Sequence, residues 1–75
     1  MPKIDWSEYK EFKNYSVKED KLIILVDFMK SYYNITNAFD IFDYCKEDDI
    51  ALMLLEKRGI SDAEALENYI FKHTK

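Results

Sequence analysis

The sequence predicts an all-α protein, a compact single-domain bundle of four or five short helices formed by residues 1–75. Three observations predict this class. The chain holds one Gly and one Pro, which leaves little turn chemistry for a sheet with several hairpins. A composition of 48% apolar and 35% charged residues excludes a disordered chain. In addition, four segments carry the signature of a helix N-terminus.

Each of these segments places a small polar residue three positions before an acid. The pairs are Asp5 and Glu8, Ser16 and Glu19, Asn37 and Asp40, and Ser61 and Glu64. In a capping box the first side chain accepts from an unpaired N–H of the first turn, and the acid reaches back. Together with the apolar spacing, the pairs predict helices over about 6–15, 17–33, 38–45, 47–58 and 62–73.

Two helix boundaries have signals of their own. Gly59 is placed to end the fourth helix in a left-handed cap, with Ile60 where a Schellman motif makes its apolar contact with Leu55. The charged run 46–49 interrupts the apolar pattern between the third and fourth helices. It is either a break or one exposed turn of a longer helix, and we expect the break.

Helical spacing also assigns faces. The fourth helix is apolar almost all round over Ile50–Leu55, so we expect it to be the buried centre. Ile23 falls among polar residues of the second helix, and Phe71 points outward with Glu64 and Glu67. We expect at least one of Ile23 and Phe71 to lie at an interface, because both are hard to bury in one small monomer.

The amount of aromatic side chain supports that expectation. A domain of this size buries only about 60% of the surface of its unfolded chain. One Trp, six Tyr and five Phe are more than such a core normally encloses. At the N-terminus Trp6, Tyr9, Phe12 and Tyr15 recur every three residues. This aromatic band either packs across the bundle or stays partly open for another protein.

Charge and cysteine usage restrict partners and location. Residues 1–33 are neutral in sum, whereas residues 34–75 carry the whole net charge of −4. That half does not suit a phosphate backbone, and a protein with a basic surface fits it better. The longest apolar run, Ile50–Leu55, is too short for a membrane span. A single Cys and the lack of a secretion signal at the start predict a cytoplasmic protein.

The residue inventory argues against an enzyme, a cofactor or a metal site. The single His, His73, lies in the last turn of a predicted helix, and Cys45 follows an apolar pattern typical of a buried thiol. One Gly cannot build a phosphate-binding loop. The acids between Asp40 and Asp49 do not have the spacing of a calcium loop.

Two stretches resemble known modules in outline. Leu54–Ser61 followed by a helix looks like a helix-turn-helix, which implies a DNA-binding transcriptional regulator using residues 50–73. The second helix of that unit carries mainly acids, which phosphates would repel. Residues 38–73 are similar in shape to the ubiquitin-associated three-helix module, but Tyr44-Cys45-Lys46 stands in place of its Met-Gly-Phe loop.

We therefore expect a small non-enzymatic regulator or inhibitor that binds another protein through an aromatic and acidic surface. A composition rich in Lys, Asn, Ile and Tyr is typical of AT-rich bacterial or phage genomes, and a phage or mobile element is one expected source. A homodimer, a subunit of a larger complex and an acidic mimic of nucleic acid remain open alternatives. The residues expected to contact the partner are Trp6, Tyr9, Ile23, Asp48, Asp49, Glu64, Glu67 and Phe71.

Overall fold

Five α-helices make up the fold of residues 4–73, the part of the chain that the computed structural model describes. The helices are α1 (Trp6–Asn14), α2 (Lys21–Tyr32), α3 (Ala38–Lys46), α4 (Asp49–Lys57) and α5 (Ala63–His73). No strand occurs between residues 4 and 73, so the predicted all-α class is confirmed. The break between the third and fourth helices is also confirmed.

The second helix, and not the fourth, is the centre of the bundle. Both α1 and α4 pack against α2, while α3 packs against α4 and α5. Seven of the twelve residues of α2 are buried, but α4 leaves Ile50 48% and Met53 45% exposed. The prediction for α4 was therefore wrong. Its six-residue apolar run passes round every face of a helix that has only α2 and α3 as its main neighbours.

The start of α2 differs from the prediction because a better cap lies further along the chain. The carboxylate of Asp20 accepts from the N–H groups of Leu22 (2.8 Å) and Ile23 (3.3 Å). Ser16 accepts only from Lys18, in a local turn (3.2 Å). Residues 16–20 are not helical, and Val17 in this connection is 97% exposed.

The N-terminus of α5 is displaced in the same way. Asp62, and not Ser61, provides the cap, because its carboxylate accepts from Ala65 N–H (2.7 Å). The predicted caps at Asp5 and Asn37 are confirmed, since their side chains accept from N–H groups of α1 and α3. An acid or amide that reaches two or three residues ahead determines each of these starts.

The turn between α4 and α5 is the predicted Schellman motif. Gly59 has φ +71°, in the left-handed region. Gly59 N–H donates to Glu56 O (3.1 Å) and Ile60 N–H donates to Leu55 O (3.0 Å). Ile60 and Leu55 are both buried in the core, so this turn fixes the approach of α5 to the rest of the bundle.

Candidate protein-binding surfaces

A polar junction holds three helices together at the N-terminus of α2. Tyr69 of α5 donates its hydroxyl to Asp20 Oδ2. Arg58, which follows α4, donates through Nε to Tyr69 Oη (3.2 Å) and lies 3.3 Å from Asp20 Oδ1. The Nη1 group of Arg58 donates to Leu54 O (2.9 Å). The chain's only arginine is therefore committed to the interior junction and does not face solvent as a free cation.

The junction sets the protonation states of its members. Burial alone raises the pKa of Asp20, but hydrogen bonds from Tyr69, Ile23 and Leu22, together with the charge of Arg58, more than offset it and lower that pKa. Burial and the bond to Asp20 raise the pKa of the Tyr69 phenol. The carboxylate and the neutral phenol are thus the stable forms at neutral pH.

Two of the residues predicted to contact a partner are buried. Ile23 is 2% exposed, so the expectation that it is hard to bury was wrong. It lines the floor of a small cleft together with Lys18, Glu19 and His73, at the position that helical spacing alone assigns to solvent. Tyr9 is 7% exposed and donates its hydroxyl to Lys21 O (3.1 Å).

Two more of the predicted residues bond to each other. Trp6 Nε1–H donates to Asp48 Oδ2 (3.0 Å). The other oxygen of Asp48 accepts from Ile50 N–H (2.9 Å) and Ala51 N–H (3.0 Å), which caps α4. Both side chains are half-buried, so they join α1 to α4 and offer little to a partner.

The outer face of α5 is exposed as predicted. Glu64, Glu67, Asn68 and Phe71 recur at spacings of three and four residues, and all four are exposed. Phe71 is 70% exposed. Asp49, at the start of α4, is exposed as well. Four of the eight predicted partner-binding residues are therefore accessible, and three of them lie on α5.

A second accessible surface, which the aromatic band of α1 indicated only in part, lies between α1 and the end of α2. Phe28 of α2 is the hub of an aromatic cluster, with the rings of Tyr9, Phe12 and Tyr32 at centroid distances of 5.9, 5.7 and 5.0 Å. Tyr32 is 50% exposed and Tyr15 is 84% exposed. The three-residue aromatic spacing was a signal for Tyr15, but nothing local distinguished Tyr32 from Tyr33.

A third surface lies between α3 and α4. A cleft of about 440 Å³ opens there and extends to Gly59 and Ile60. Phe42 and Leu52 provide its apolar lining, and Lys46 and Glu56 balance each other in charge. The cleft has no net charge preference for a ligand.

The reactive side chains are held in unreactive settings. Cys45 is fully buried, and burial, with the nearby charge of Asp48, raises the pKa of its thiol to about 12. The ring of His73 stacks on Tyr69 at 4.1 Å, and its Nδ1 lies 2.9 Å from Tyr69 O. Within residues 4–73, no three His, Cys, Asp or Glu side chains gather into a group able to hold a metal ion.

The helices between residues 4 and 73 are each too short or too polar to cross a lipid bilayer. Comparison with known proteins finds no match to this chain among protein-family models, curated proteins or solved structures.

Proposed function

We propose that the protein is a small non-enzymatic regulator or inhibitor that binds another protein through the outer face of α5. The observation that carries this proposal is the exposure of Phe71, which projects from a face that also bears Glu64 and Glu67. An aromatic anchor beside charged residues is the typical anatomy of a protein interface. The two carboxylates favour a partner whose facing surface is basic.

A binding role fits the chemistry better than catalysis does. The thiol of Cys45 is buried and protonated, and the ring of His73 is stacked on Tyr69. Neither is placed to act as a nucleophile or a base toward a substrate.

The alternative, a helix-turn-helix reader of DNA, has the correct outline in α4, the Gly59 turn and α5. Its reading helix would present Glu64 and Glu67 to phosphates, and Arg58 is bonded to Asp20 and Tyr69. We therefore expect no binding to duplex DNA even at about 50 mM salt, where phosphate contacts are strongest.

Affinity capture from source cells, followed by binding measurements with the purified partner, tests the proposal. Phe71→Ala should weaken the partner's affinity at least about fivefold, equivalent to about 1 kcal/mol, because exposed aromatic anchors dominate such interfaces. Val17→Ala, at an exposed apolar position outside α5, is the matched control and should change nothing. Glu64→Gln and Glu67→Gln should each have the smaller effect of rim charges.

Three results would contradict this proposal. A salt-sensitive gel shift with duplex DNA would favour the transcriptional regulator. Loss of binding in Glu64→Gln and Glu67→Gln, with Phe71→Ala unaffected, would favour an acidic mimic of nucleic acid. Sedimentation that shows a dimer dependent on Phe71 would assign the α5 face to a second copy of the chain.

A further inference from the structure

A groove lies between α1 and the C-terminal end of α2, on the second accessible surface. It has a volume of about 250 Å³, enough to admit one long side chain. Phe12, Tyr15 and Tyr32 line it, and the buried ring of Phe28 lies among them. Tyr32 stacks on Phe28 with the two ring planes 17° apart, which holds its ring in place.

The charged residues that line the groove are all acidic. Glu8 and Glu11 lie one turn apart on α1, and both are exposed. The other lining residues are aromatic side chains and Ser31. Desolvation, followed by the charges of Asp5 and Glu8, raises the pKa of the Tyr32 phenol. This groove thus differs from the α3–α4 cleft, where Lys46 opposes Glu56.

Aromatic side chains and two carboxylates that line the same groove are the chemistry that recognises an organic cation. A cation over a ring is attracted by the negative face of the π-system, and the attraction grows when water is excluded. A guanidinium group suits this groove better than an ammonium, because it is planar, stacks on aromatic rings and pairs with carboxylates through a fork of N–H donors.

We propose that the groove between α1 and α2 is a docking site for an arginine side chain of a protein partner. The inference rests on the proposed function only in taking the partner to be a protein, and it adds a second contact remote in sequence from Phe71. The carboxylates of Glu8 and Glu11 receive the guanidinium, and Tyr15 and Tyr32 form the walls against which it stacks.

A pair of capped peptides tests the charge. One is acetyl-Gly-Arg-Gly-Arg-Gly-amide, and the other carries citrulline, a neutral isostere, in place of arginine. Titration into ¹⁵N-labelled protein should shift the backbone amides of Glu8, Tyr15 and Ser31 with the arginine peptide. The citrulline peptide should leave those amides unmoved.

Charge-matched variants test the location. Glu8→Gln/Glu11→Gln should lower the affinity for the arginine peptide at least about fivefold, whereas Asp40→Asn/Asp43→Asn removes the same charge from exposed positions of α3 and should leave that affinity unchanged. Tyr15→Leu keeps an apolar side chain at an exposed position but removes the ring, and should weaken binding about twofold or more. Unchanged amide shifts elsewhere verify that each variant is folded.

Other outcomes overturn the assignment. Equal binding of both peptides would show that the groove does not recognise the positive charge of arginine. Equal loss of peptide affinity in the two double variants would show that only the net charge of the protein matters. Tighter binding of spermidine at the same amides would assign the groove to a polyamine. If the peptide fails to bind while a partner still requires Phe71, only this inference fails. If the peptide binds in the groove but no partner depends on Phe71, the assignment of the groove stands and the α5 interface is refuted.

Discussion

At the scale of single residues, Asp20 links three parts of the bundle. One of its oxygens caps α2, and the other accepts from Tyr69, while Arg58 supplies the opposite charge. These contacts join the N-terminus of α2 to the end of α4 and to α5. The net effect on the pKa of Asp20 is a decrease, despite burial, so the folded state favours the charged carboxylate.

Replacement of Asp20 by Asn should therefore destabilise the protein in a pH-dependent way. Asn still caps a helix, so Asp20→Asn isolates the loss of the negative charge. We expect the free energy of unfolding at pH 7 to fall by at least about 1 kcal/mol, since hydrogen bonds to charged groups are lost. Because the pKa is lower in the folded state, the stabilisation is complete above about pH 4, the unfolded value, and disappears as the pH falls through the folded value.

Urea unfolding followed by circular dichroism between pH 7 and pH 2 measures this difference. The gap between wild type and Asp20→Asn should close toward the acid end of the range. Glu19→Gln, at the exposed neighbouring position, is the control and should remain close to wild type at pH 7. A gap that stays constant with pH would show that the charge of Asp20 contributes nothing.

At the scale of helices, local signals in the sequence were sufficient to place most boundaries. The Schellman turn at Gly59 and the caps at Asp5 and Asn37 depend only on residues within one turn, so sequence patterns detect them. The spacing rule fails where two caps compete. It prefers Ser16 and Ser61 to Asp20 and Asp62, because it weighs the acid three positions on and ignores tertiary partners such as Tyr69.

The competition between neighbouring acids can be tested at the start of α4. Asp48 caps the helix and accepts from Trp6, whereas Asp49 is exposed in the first turn. We expect Asp48→Ala to lower the free energy of unfolding by about 2 kcal/mol, from the lost cap together with the lost indole bond. Asp49→Ala should cost about 0.5 kcal/mol or less, as expected of an exposed residue.

Thermal unfolding of the two alanine variants, compared with Asp48→Asn, separates the contributions. Asn keeps an oxygen for the cap, so Asp48→Asn should lie between wild type and Asp48→Ala. Equal losses at positions 48 and 49 would mean that the general field of the helix N-terminus, and not the specific bonds of Asp48, stabilises α4.

At the scale of the whole molecule, tertiary packing determines which residues are buried where sequence patterns alone do not. Helical periodicity correctly predicted that the outer face of α5 is exposed, because one side of that helix meets solvent. It misjudged Ile23 and α4, because burial there depends on which elements cross above them. Sequence patterns did not reveal the complete groove between α1 and α2 for the same reason, since Tyr15 and Tyr32 are far apart in sequence. A radius of gyration of 11.2 Å agrees with the value of about 11 Å for a globular chain of this length.

Cys45 provides a test of whether this small bundle unfolds as one unit. Its side chain, on α3, is fully buried, and burial raises the pKa of its thiol to about 12, so a thiol reagent can react only after the structure opens. If all five helices unfold together, the free energy obtained from the labelling rate should equal that from urea unfolding, within about 10–15%. The fluorescence of Trp6, the only tryptophan, reports the same transition from α1.

The control for this last experiment is the double variant Cys45→Ala/Val17→Cys, which moves the thiol to a position that is 97% exposed. It should react at once in the native state, and this gives the rate of the unprotected thiol. The ratio of the two rates then measures the opening equilibrium at Cys45. A wild-type thiol that reacts much faster than the unfolding equilibrium reported by Trp6 predicts would show that α3 detaches on its own. The exposed face of α5, which packs mainly on α3, would then belong to a separately unfolding unit and not to a rigid surface.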